Sequence, residues 1–127
     1  MTCILNPNII RRELMNIISD MKQHLEGFVM NPGRDFTRNR RLPFVDTILL
    51  TMSMQTSSLD GEIANFWHIH HPENNYSSNP LYCPTKSAFV HQRSKLTDKT
   101  FPAILYRFNQ AVPVSTKLKG YHCIAID

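Results

Sequence analysis

The chain has 127 residues, which leaves room for one ordinary domain with one modest core. At 42% hydrophobic and 19% charged residues it has the make-up of a chain that folds, and it lacks the charge-rich, apolar-poor balance that holds a chain open. Its 14 Lys and Arg against 10 Asp and Glu leave a net charge of +4, too small to name a partner, so the placement of the basic residues matters more than their number.

The N-terminus sets Ile4 and Leu5 ahead of Arg11 and Arg12, the wrong order for a secretory signal, and no apolar run is long enough to cross a bilayer. A cytoplasmic protein is expected. From Pro7 onward Ile10, Leu14, Ile17, Ile18, Met21, Leu25 and Phe28 recur by threes and fours, which predicts an amphipathic helix. Leu14, Ile18, Met21, Leu25 and Phe28 also alternate four and three, so the stripe either packs on the rest of the domain, the reading preferred here, or pairs two chains. Gly27, Asn31, Pro32 and Gly33 close this helix and open a loop.

Leu42 and Pro43 start a second helix with Phe44, Val45, Ile48, Leu49 and Met52 as its buried stripe. Ser57 or Ser58 caps a third, with Leu59, Ile63, Phe66 and Trp67 facing inward. Residues 68–84, rich in Asn, Ser, Pro and His, read as a long surface connection. Thr85 caps a fourth helix running to Lys95, with Ala88, Phe89 and Leu96 inward. Phe101, Ile104, Leu105 and Phe108 mark a fifth that fades by Pro113. Tyr121 to Ile126 is nearly all apolar, as in a strand buried on both faces, although no other segment has strand character. The expected architecture is therefore mainly α: about five helices and one final strand. It divides into an amphipathic helix over 1–30, a helical region over 31–111, and a linker with that strand over 112–127.

Chemistry concentrates in a few places. Arg34, Arg38, Arg40 and Arg41 fall in one stretch interrupted by Asp35, a cluster suited to a polyanion. The second, third and fourth helices are compatible with a helix-turn-helix-like trihelical unit, whose last helix offers exposed side chains to base edges while loops hold phosphates. On that reading Lys86, Ser87, His91 and Ser94 face bases, and Arg34, Arg38, Arg40, Arg41 and Lys95 face phosphates; Arg93, near the inner edge, pairs internally. The alternative is a charged face that is simply solvated. His68 and His70 lie two apart with no cysteine at ligand spacing, which argues against a metal site. Cys3, Cys83 and Cys123 are odd in number and widely spaced, which suits a reducing compartment, with Cys123 an inert core residue. Asp127, directly after the apolar run, stands either as a turn residue or where phosphoryl-transfer enzymes hold a divalent cation.

The run from Asn31 to Phe44 (NPGRDFTRNRRLPF), the segment from Lys86 to Arg93 (KSAFVHQR) and the last four residues, Ile124 to Asp127 (IAID), together resemble the N-terminal half of bacterial insertion-sequence DDE transposases of the IS-four group. The resemblance implies a helical region that binds the element's terminal inverted repeats in double-stranded DNA, followed by an RNase H-like domain whose three acidic residues bind two metal ions, usually Mg2+. Asp127 matches the first of those acids, the catalytic and metal-binding position of the parent protein. The chain is thus expected to stop as the catalytic domain begins, to bind DNA without cutting it, and to need no cofactor, membrane or small-molecule substrate. Two alternatives go with it: a protein-association module, pairing into a homodimer, and a truncated regulator of transposition.

Overall fold

The computed structural model describes residues 6–38, 41–55, 57–71 and 83–112. These form five helices, α1 (Pro7–Gln23), α2 (Phe44–Ser53), α3 (Leu59–His70), α4 (Lys86–Arg93) and α5 (Thr100–Ala111). No strand occurs among the described residues; Val29 and Leu96 form an isolated antiparallel bridge. The strand expected over 121–126 lies outside them, as does Asp127.

Local chemistry explains where the helices begin. Asn6 caps α1 by accepting the Asn8 N–H at 2.9 Å, with Pro7 in the first turn. Ser58 accepts from Gly61 N–H and Thr85 from Ala88 N–H, so α3 and α4 start where the sequence placed their caps. Pro43 flanks α2 as its cap residue and lies just outside its first turn. The turn between α2 and α3 is closed by Glu62, a buried carboxylate that accepts the N–H groups of Gln55 (2.8 Å) and Ser57 (3.1 Å).

Helix α2 is the centre of the fold, with one small core on each side. Phe44 and Ile48 join Ile18 and Met21 of α1, Val29, and Ile104 of α5. On the other side Leu50 joins Leu42, Ile63 and Phe66 of α3, and Phe89 of α4. Thr47, fully buried between them, returns its hydroxyl to the Pro43 carbonyl at 2.9 Å and so enters the core without an orphaned donor. Helices α2, α3 and α4 pack on one another, while α1 lies against α5 and α2.

Several details depart from the periodic reading. Helix α1 ends at Gln23, and Leu25 and Phe28 reach the same core from a turn in which Gly27 takes φ +87°, so the four-three alternation is helical only as far as Met21. That stripe is buried against the chain's own α2 and α5, with Ile18 and Met21 fully enclosed. Helix α4 stops at Arg93, two residues early, because the next residues turn to pair with 28–30: Met30 N–H donates to Lys95 O and Thr97 N–H to Phe28 O. Met52 and Ala88, expected inside, are exposed, and so is Leu105, one of the apolar residues that marked the fifth helix. Leu50 takes the place expected of Met52, since α2 is gripped from two sides and its buried surface is wider than one stripe.

Candidate functional site

The loop after α1 is folded on itself. Asn31 O accepts from Arg34 N–H and Asp35 N–H, and the buried Asp35 carboxylate accepts the Asn31 N–H at 2.9 Å. Gly33, at φ +84°, turns the chain where a side chain would be strained. Asp35, which on sequence merely interrupts the arginines, staples the loop that carries the exposed Arg34. Phe36 has φ +58°, unusual for an aromatic residue, and its ring meets Phe44 edge-on at 5.6 Å.

This loop and the C-terminal end of α4 share a cleft of about 670 Å³. Arg34, Arg38 and Thr37 line one side, and His91, Ser94 and Lys95 the other. Arg41 lies on an adjoining cavity with Thr85, Ala88 and His91. Lys86, Ser87, His91 and Ser94 share a third, shallower one with Val90 and Leu59. His91 is common to all three, at the middle of the exposed face of α4. No carboxylate lies at ion-pairing distance from Arg34, Arg38 or Arg41 among the described residues, so the charge of these arginines faces outward. Arg40 lies outside the described residues.

Three of the expected contact residues carry other tasks. Lys95 sits past the end of α4; its ammonium donates to Gln92 Oε1 and lies 5.7 Å from the centre of the Phe36 ring. Ser94 donates its hydroxyl to His91 O at 2.6 Å, which leaves its oxygen only as an acceptor. Lys86 pairs with Asp60 at 3.8 Å, with both side chains well exposed. Arg93 stays within the chain, its guanidinium 5.3 Å from the Phe89 ring centre.

Sequence reasoning passed over Gln92. It is buried, its Nε2 donates to Leu42 O at 2.7 Å, and its Oε1 receives Lys95, so one amide ties α4 to the segment that leads into α2 and to the rim of the cleft. The signal was its position: Phe89, Gln92 and Leu96 are spaced three and four apart, and a polar residue on an inward stripe must find partners there.

The histidines at the end of α3 are held by neighbours. His70 stacks on Phe66 and His71 on Trp67, and His71 Nε2 lies 3.1 Å from Asp46 Oδ2. Among the described residues no group of three or more His, Cys, Asp or Glu could hold a metal ion, and no helix is long and apolar enough to cross a membrane. Asp127, the residue that the magnesium expectation rests on, lies outside the described residues. Comparison with protein-family models, with curated proteins and with solved structures returned no match.

A second surface is apolar throughout. Leu14, Met52, Phe101, Ile104, Leu105 and Phe108 line a groove of about 630 Å³ with no polar lining between α1, α2 and α5.

Proposed function

We propose that this chain binds double-stranded DNA through the cleft and the exposed face of α4, as the N-terminal region of a DDE transposase acting at terminal inverted repeats. One observation supports this reading above the others: the arginine loop and α4, more than 50 residues apart in sequence, line one cleft whose arginines meet no carboxylate among the described residues. Helices α2, α3 and α4 then act as a helix-turn-helix-like unit. Helix α4, like any α-helix about 10–12 Å across with its side chains, fits a major groove about 12 Å wide. Lys86, Ser87, His91 and Ser94 meet base edges, and Arg34, Arg38, Arg40, Arg41 and Lys95 hold phosphates. Asp127 belongs to the same proposal as the first acid of a metal-binding set in an RNase H-like domain.

The test is gel-shift titration of the 127-residue chain with the terminal repeat of the parent element and with random duplex of equal length. Tighter binding to the repeat is expected, and equal binding would sink the reading. Roughly four to six phosphate contacts predict a slope of about −4 to −5 for log affinity against log salt.

A second reading, self-association of two copies, has the apolar groove in its favour, since exposed apolar surface of this kind marks interaction sites. Sedimentation at high micromolar concentration separates the two: a strict monomer counts against pairing.

A further inference from the structure

Val90 stands at the centre of the exposed face of α4 and is 43% exposed. Lys86 and Ser94 lie one turn before and after it in the same row, and Ser87 and His91 flank it. Together with Leu59 these residues line a shallow concavity of about 480 Å³. The other large exposed apolar side chains among the described residues have different surroundings: Met52 and Leu105 share the apolar groove, Met30 borders the basic cleft, and Ile9, Ile69 and Tyr106 stand on α1, α3 and α5. Val90 alone among them is set within the polar face that the DNA-binding reading turns towards bases.

Resting on that reading, we infer that Val90 is a specificity-determining residue that packs against the 5-methyl group of a thymine. An isopropyl group can neither donate nor accept a hydrogen bond. Pressed against a cytosine amine or a guanine carbonyl it would strip water from a polar edge and return nothing. The thymine methyl is the apolar feature of the major groove, and contact with it is favourable for the same reason that burial of any methyl is. The polar neighbours on α4 then set the register: Lys86, Ser87 and His91 present hydrogen-bonding groups around an apolar centre.

The experiment begins with selection of bound duplexes from a random-sequence pool by the 127-residue chain. Each thymine of the selected site is then replaced in turn by uracil, which removes the methyl and nothing else. At one position the replacement should weaken wild-type binding about four-fold, the worth of one buried carbon. Val90→Ala, at an exposed helical site and with an unchanged circular dichroism spectrum, should bind thymine and uracil duplexes equally at that position. Failure to enrich any sequence overturns the DNA-binding reading itself. An enriched site indifferent to every uracil, or one whose uracil penalty persists in Val90→Ala, overturns the role of Val90 and leaves DNA binding standing.

Discussion

Gln92 sends Nε2 into the interior to the Leu42 carbonyl, while its Oε1 takes the Lys95 ammonium at the rim of the cleft. Gln92→Leu keeps most of the volume and strands a buried carbonyl, a loss of about 1–3 kcal/mol that urea unfolding can measure. An unchanged midpoint would show that the Leu42 oxygen is satisfied some other way. Cys83 is half-buried against the core between α2, α3 and α4, and burial raises its thiol pKa above the ordinary value of 9.0 by penalising the thiolate. The unfolded chain therefore loses this proton first as pH rises. The contribution to stability is intact below the ordinary thiol pKa and is lost as pH climbs towards the folded value. Unfolding curves at about pH 8 to 10, the range around an ordinary thiol pKa, should show the wild type falling more steeply than Cys83→Ala; parallel curves would refute the assignment.

Helix α4 meets its neighbour α3 at its first turn. Asp60, in the first turn of α3, pairs with Lys86 at 3.8 Å, and with both groups exposed the pair is worth about 0–1 kcal/mol. For DNA binding the acid is a cost, since it stands beside a basic residue of the proposed contact face. Asp60→Asn should lower thermal stability slightly, by about 0.3–1 kcal/mol for removal of the charge at a helix N-terminus. At low salt it should strengthen duplex binding about three-fold, the effect of one charge several ångströms away in water. Weaker binding by this variant would place the nucleic acid on another face.

The whole molecule has two contrasting surfaces: the basic cleft of the arginine loop and α4, and the apolar groove of α1, α2 and α5. They make separable predictions. Replacing Arg34, Arg38 and Arg41 by Ala should flatten the salt dependence of duplex binding by about three in slope, roughly one for each phosphate that the variant no longer neutralises. The fold should stay intact because these side chains are exposed. An unchanged slope would show that the arginine loop does not touch the DNA. Leu105→Glu, 61% exposed on the groove, should leave DNA affinity alone and abolish any self-association seen by sedimentation. If self-association survives the change, the groove is not the interface.

Element identity was legible because helix starts are local. Ser58 and Thr85 bond N–H groups three residues ahead, so the cap and the helix are read from one short stretch of sequence. The apolar stripes of α1 and α3 were legible for a like reason, since a helix packed on one side needs one stripe. Where the chain is gripped from two sides or turned by a distant partner, periodicity could not decide: α2 buries Leu50 as well as Ile48, and α4 ends early because Lys95 and Thr97 bond residues 28–30. The arginine loop and the face of α4 could each be named from the sequence. That they line one cleft, tied together by the bond from Gln92 to Leu42 across 50 residues, only the tertiary structure decides, whereas the Asp35 staple is a local bond to Asn31 whose partner the sequence did not single out.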